Sequence, residues 1–532
     1  MSFDPRQSNP AGIMLALVTI GGLFGALYMG QMVAHNDFIK IGMLAAGAVA
    51  MTICLMMGQK IWMLIPLCWS LTGKISVLPL PLNVRDLGVL AAFGMLLVFY
   101  IFKKAPKSAS LNRYDLLLYI NLAYLVTVYA RNPVGTQAFG SEIVGGRPYF
   151  DVLIAVLAFW VFQHVVLSPK ESRMFPILMS FGSLVVGILG VLTQRIPALV
   201  PLVAPFYSGI SVGSYLEQQN NGQVGESYRI DSLGGMSLSL GGALAAFFRP
   251  VSLMLFLKPF WSVLFYISVL SGLLAGFRSG LISLAVILLL SSYFYNGLKD
   301  VIRIGLVMLL GVIFIIGLQG SGVPVHPAAQ RALSFIPGPW DPDVVAAAEG
   351  SSEWRFEMWR IALEGDKYIH NKILGDGFGF NAYELAIQMQ AAWGGQGYVG
   401  GNQGIEAQLV TGAFHSGPIS AIRYVGIVGL MLFTVLMIAC ATYAWRTINL
   451  CKGTPFFPMA LFVGIPIIYK PIEYWFVFGG FDGDFPKVIF GLACVNLVSR
   501  TLAAYREKQS APKQVAEFAP PQSELPVPAA GA

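Results

Sequence analysis

Residues 260–290 read FWSVLFYISVLSGLLAGFRSGLISLAVILLL, an apolar run broken only at Ala275-Gly276-Phe277-Arg278-Ser279-Gly280. Each half approaches the roughly 20 apolar residues that a helix needs to cross about 30 Å of hydrocarbon. Two glycines permit a tight hairpin between the halves. The stretch therefore predicts two membrane helices joined at one face of the bilayer, with the Arg278 guanidinium at that face. An ionised side chain at membrane depth is costly unless it is paired or used, which makes Arg278 a candidate functional residue. The plainer reading is a guanidinium that snorkels to the headgroups.

The rest of the chain has the same character. Of its 532 residues, 56% are hydrophobic and 11% charged, where a soluble chain carries about 25% charged residues. The fold class expected is all-α, a polytopic transmembrane helical bundle of about 12–14 spans with one large helical extracytoplasmic loop. Candidate spans lie near 11–31, 40–57, 61–80, 87–102, 114–130, 151–168, 174–193, 233–248, 259–276, 279–295, 304–319, 418–441, 456–472 and 485–499. The third is interrupted by Lys74 and Pro79. This divides the chain into 1–319 with eleven spans, a large periplasmic loop at 320–417, three further spans over 418–500, and a Pro- and Ala-rich cytoplasmic tail at 501–532 expected to be disordered.

Charge supports the same arrangement. Lys103, Lys104, Lys107, Arg113, Lys170, Arg173, Lys299, Arg303, Arg446, Lys452, Arg500, Arg506 and Lys508 all fall on the side of the N-terminus, which makes that side cytoplasmic. Topology thus accounts for the net charge of +7, and a nucleic-acid partner is not expected. The five cysteines form no CxxC or Cys/His cluster, which leaves no material for a disulfide framework or a zinc site. The first apolar stretch leads into further spans, so no cleavable signal peptide is expected.

The large loop carries the remaining signals. Ser351 to Leu363 reads as an amphipathic helix with Arg355 and Trp359 one turn apart on one face. A planar cation and an indole there suit a phosphate and a sugar ring. The alternative is a surface helix held down by Trp354, Met358 and Ile361. Residues 373–380, ILGDGFGF, predict a tight turn and lack the strand–turn–helix setting of a nucleotide fingerprint. His415 stands before a long apolar helix, where it can titrate near neutral pH and take a hydroxyl proton, or instead cap the helix end. Asp341-Pro342-Asp343 and Asp482-Gly483-Asp484 are read as turn formers in preference to a metal site. Arg147 in GGRPYF and Arg229 in SYRIDS are further outward arginines, expected to line one anionic-ligand site with Arg278, Arg355 and Arg360.

Four of these features, in order, resemble the O-antigen ligase and Wzy-type polymerase superfamily of bacterial surface-polysaccharide enzymes. They are an arginine before a span (Arg229), an arginine hairpin (FRSG, Arg278), a loop helix S-x-x-R-x-x-x-W with a following glycine turn (Ser352, Arg355, Trp359, GDGFG), and HS-x9-GxxG from His415-Ser416 to Gly426 and Gly429. The resemblance covers roughly residues 220–440. It departs at Trp359, where ligases often carry leucine, and after Arg229, where SLGGMS replaces the usual Pro-Asn.

The resemblance implies an inverting, metal-independent glycosyltransferase of the bacterial inner membrane with its site facing the periplasm and no cofactor. Its donor would be an undecaprenyl-pyrophosphate-linked glycan, and its acceptor lipid A-core for a ligase or a growing glycan for a polymerase. His415 and Arg278 would be catalytic, with Arg355, Trp359, Arg229, Arg147, Arg360 and Ser352 binding substrate. Protein O-glycosylation, a lipid-linked oligosaccharide flippase and a non-catalytic scaffold of an export machine are the competing readings. A transporter would place ionisable residues near the midplane of several helices and show repeated halves. Here the charges gather at one interface, and no repeat is evident.

Overall fold

The structure, a computed structural model, describes residues 52–75, 82–104, 110–135, 143–204, 229–381, 408–410 and 412–510, with isolated positions elsewhere. The first expected span, most of the second, the polar stretch 211–228 and the tail from 511 lie outside the described residues. All regular elements among the described residues are helical; besides short turns of helix at Pro197–Leu199, Val200–Val203 and Pro250–Met254 they are α1 (Thr52–Cys68), α2 (Val84–Ile101), α3 (Arg113–Arg131), α4 (Arg147–Phe162), α5 (Pro169–Arg195), α6 (Ser232–Phe247), α7 (Pro259–Ala275), α8 (Arg278–Asn296), α9 (Leu298–Gly320), α10 (Pro327–Leu333), α11 (Pro342–Glu364), α12 (Gly417–Cys451), α13 (Phe457–Ile472) and α14 (Phe481–Ser510). Seven of them, α2, α5, α8, α9, α12, α13 with its π-helical extension to Val477, and α14, are long and apolar enough to cross a membrane. The chain is a multi-pass helical membrane protein.

Local chemistry sets the helix starts. Asn112 caps α3 by accepting from the Tyr114 and Asp115 amides, and Asp115 returns a bond to the Asn112 amide at 2.9 Å. Ser168 and Glu171 form the same reciprocal box on α5, which satisfies donors that a helix start leaves open. α14 is the most enclosed of these seven, and Phe490 stacks on Trp69 with ring centroids 3.5 Å apart. α9 lies at the periphery and leaves Leu298, Ile302, Phe314 and neighbouring side chains exposed, as a lipid-facing helix can.

Two boundaries differ from expectation. The ranges 40–57 and 61–80 do not form separate spans at residue 58, because one helical stretch runs from Thr52 through a 3-10 segment at Gly58–Met63 and stops at Cys68. Nor does the tail begin at 501: α14 continues to Ser510 because Thr501 and Leu502 are buried, and the Thr501 hydroxyl accepts from the Leu167 amide.

HS-x9-GxxG acquires a physical meaning in α12. Gly426 has φ +71° and ψ 179°, which breaks the helix nine residues after its start. The backbone groups released there are taken up by the glycine-rich loop: Asp376 and Gly377 amides donate to the Arg423 and Tyr424 carbonyls, and the Ile427 and Val428 amides donate to the Lys372 and Ile373 carbonyls. Buried backbone groups need partners within the protein, and this loop supplies them. A Cβ on Gly426 would lie 2.2 Å from the Ile373 carbonyl oxygen, and one on Gly375 2.5 Å from Val425. Two glycines therefore allow the two backbones to touch.

Candidate functional site

The hairpin at Gly276 builds the first half of the site. Gly276 closes α7 in the left-handed region at φ +70°, and the aliphatic stem of Arg229 lies against it, with Cγ 3.1 Å from where a Cβ would stand. The Ile230 amide donates to the Leu274 carbonyl at 3.3 Å, and the Arg229 guanidinium sits over the Phe277 ring at 5.6 Å. The chain before α6 is thereby fastened to the turn that carries Arg278. Ala328 of α10 closes on the same glycine.

Loop helix α11 brings the third cation. Arg355 is within electrostatic reach of both Arg278 and Arg229, and Arg278 is within reach of the exposed carboxylate of Glu349. Burial first, and then the two neighbouring guanidiniums, hold the Arg355 pKa below its ordinary value. Its Nε is buried and makes no hydrogen bond to any described residue. Three guanidiniums within electrostatic reach of one another, with the Glu349 carboxylate beside Arg278, give a locally cationic site of the kind that attracts an anion.

His415 completes the group. It adopts φ +52°, an unusual value for a residue other than glycine. Its ring centroid lies 6.3 Å from that of Trp354 and 5.5 Å from that of Phe478. Burial, followed by the Arg355 charge, lowers its pKa from the ordinary 6.5, which favours the neutral imidazole at pH 7. The Trp359 indole donates to the Phe414 carbonyl at 2.7 Å, and Phe414 is fully buried with Met358, Ala362, Ile369 and Leu409. The packing reading of α11 holds, with Met358 in the core and Trp354 and Ile361 packed against it, and Arg355 on the same helix lies within electrostatic reach of the other arginines.

Four of the expected site residues, Arg229, Arg278, Arg355 and His415, thus converge from four separate segments. Others are engaged elsewhere. Trp359 spends its N–H on the His415 loop. Ser352 is helical in α11, its side chain outside the described ones. Arg360 is 61% exposed and paired with Glu357 at 2.6 Å, five residues and so about 140° around the helix from Arg355. Arg147 belongs to a separate network, bonded to fully buried Asp86 at 2.6 Å and to Asp151 at 3.0 Å, with Arg85 bridging the same two carboxylates. Arg147 therefore joins α2 to α4.

The two DxD sequences have structural partners. Asp341 is the N-cap of α11 and accepts from the Asp343 amide. Asp484 pairs with Lys470 and Lys487, each at 3.3 Å, and accepts from the Gly480 amide. Lys470 also bonds Glu473, whose other oxygen is 3.5 Å from Ser283 of α8. This charged cluster fixes the segment after α13, including Tyr474, against which Gly417 packs so closely that a Cβ would meet the Tyr474 oxygen at 2.4 Å. Sequence reading missed Glu349 and Phe478. Glu349, in AAAEG, carries no pattern that marks it. No protein-family model matches the chain, and no curated protein matches it.

Proposed function

We propose that this protein transfers a glycan from an undecaprenyl-pyrophosphate-linked donor to an acceptor hydroxyl at the periplasmic face of a bacterial inner membrane, in the manner of an O-antigen ligase. The observation that supports this most is the meeting of three guanidiniums with one neutral imidazole, assembled from distant segments of a membrane protein. Arg278 and Arg355, with Arg229 beside them, take the pyrophosphate. Cleavage of the glycosyl–phosphate bond places negative charge on the departing undecaprenyl pyrophosphate, and fixed cations stabilise that charge as it develops. The His415 imidazole accepts the proton of the acceptor hydroxyl, whose oxygen forms the new bond to the anomeric carbon as the phosphate oxygen leaves from the opposite face. The configuration at that carbon inverts.

The same donor chemistry serves a Wzy-type polymerase, in which the acceptor is a growing glycan. A defined lipid-linked repeat supplied to the purified protein, with and without lipid A-core, separates the readings. Product on the core supports ligation, and chain extension without core supports polymerisation. Movement of the intact lipid-linked donor between leaflets, with no new glycosidic bond, would replace both with a flippase.

A further inference from the structure

At the end of the protein opposite the arginine cluster, the start of α5 and the end of α6 flank an open surface cleft of about 400 Å³ lined by Pro169, Lys170, Arg173, Met174, Ile177 and Phe247. The other ends of the same two helices meet beside the cluster, where Gly190 packs on Ser232, so α5 spans from one boundary to the other. Lys170 and Arg173 are exposed. The cleft lining holds these two cations and no acid, and the neighbouring Glu171 carboxylate bonds the Ser168 amide at 2.8 Å in the helix cap.

Above the cations the helix continues the cleft into the span. Met174, Ile177, Phe181 and Ile188 are 36%, 59%, 51% and 52% exposed. At about 100° per residue these four and Lys170 fall within an arc of about 60° on one face of α5, and from Met174 to Ile188 the stripe runs about 21 Å. One leaflet offers about 15 Å of hydrocarbon. A cationic notch at the start of the span, continuous with an apolar stripe about one leaflet long on a helix that carries Pro176, has the charge and polarity pattern of one ligand class.

We propose that this cleft binds a single anionic glycerophospholipid, its phosphate between Lys170 and Arg173 and one acyl chain along Met174, Ile177 and Phe181. The site is separate from the arginine cluster and does not depend on glycan transfer. Two cations at the boundary contribute about fivefold each in affinity, roughly 25-fold together.

The test is lipid retention and thermal shift of the delipidated full chain in detergent, with phosphatidylglycerol, phosphatidylcholine or sn-glycerol 3-phosphate added. Phosphatidylglycerol should bind and raise the melting temperature, and K170Q/R173Q should weaken that binding by about 25-fold, with phosphatidylcholine affected little in either protein. Ile177→Asn should weaken phosphatidylglycerol binding while leaving both cations in place. Equal stabilisation by sn-glycerol 3-phosphate would overturn the proposal, since the track would then be idle. So would an equal loss in R303Q, whose guanidinium is exposed at the same end and pairs with Asp300, because diffuse basic charge would then explain the binding.

Discussion

The Trp359 indole N–H holds the carbonyl of Phe414 at 2.7 Å, one residue before the imidazole of His415. The loop helix that carries Arg355 is therefore fastened to the turn that carries the candidate base. A neutral hydrogen bond of this kind contributes about 1 kcal/mol, and here it also holds a backbone at φ +52°. Trp359→Phe keeps a ring able to stack on a sugar but loses the donor. Transfer assays should show kcat reduced by about three- to tenfold with donor KM unchanged. A rise in KM alone would return Trp359 to the sugar-binding role.

The depressed pKa of His415 sets the pH dependence. The acidic limb of the kcat/KM profile should lie below pH 6.5, the ordinary histidine value. Arg355→Gln removes the cation that opposes protonation and should move that limb upward, toward 6.5. The same sign applies to stability: protonation favours the unfolded chain, so the contribution from burying a neutral ring is full above pH 6.5 and is lost as pH falls from there through the lower folded-state pKa. A limb at the same pH in the wild type and in Arg355→Gln would separate the two groups.

Gly426 and Gly305 provide a contrast within similar apolar helices. A side chain at Gly426 meets the Ile373 carbonyl oxygen at 2.2 Å, whereas nothing lies within 4 Å of one at Gly305. Gly426→Ala should cost more than about 3 kcal/mol, combining backbone strain with a backbone clash, and should give little folded protein. Gly305→Ala should be neutral or slightly stabilising. Thermal unfolding of the detergent-solubilised variants measures both.

Much of the helical arrangement was legible from residues 84 to 320, because unbroken apolar length is a local property. The observed starts Val84, Arg113, Pro169, Ser232, Pro259 and Arg278 fall within about five residues of the reading. The hairpin at Gly276 was equally local. Glycines at HS-x9-GxxG and GDGFG were visible as separate motifs, but their contact was not, since Gly375 and Gly426 are distant in sequence and meet only through backbone. The ion pair of Arg147 was not legible for a similar reason: its buried partner Asp86 lies 61 residues earlier, and nothing in GGRPYF names it.

That placement carries its own prediction. Arg147→Ala leaves the fully buried Asp86 carboxylate with Arg85 as its remaining arginine partner at 3.3 Å. Breaking one side of a buried pair costs about 3–5 kcal/mol, so the melting temperature of the variant should fall clearly. Donor KM of the protein that survives should be unchanged, and a raised donor KM at unaltered stability would put Arg147 back among the substrate contacts.

Arg278→Lys distinguishes planar two-point binding from simple charge. If the guanidinium holds pyrophosphate through two parallel bonds, lysine should recover little of the rate lost in Arg278→Ala, which is about 10²–10³-fold. Full activity in the lysine variant would leave a point-charge role only.

The most direct measurement is glycan transfer from a defined undecaprenyl-pyrophosphate-linked donor by purified His415→Ala and Arg278→Ala, each first shown to be folded and membrane-inserted. Loss of transfer by about 10²-fold or more in both variants, with donor still bound by His415→Ala, is the expected result. Product at near wild-type rates from either one would contradict the account of three arginines and a histidine acting as one centre.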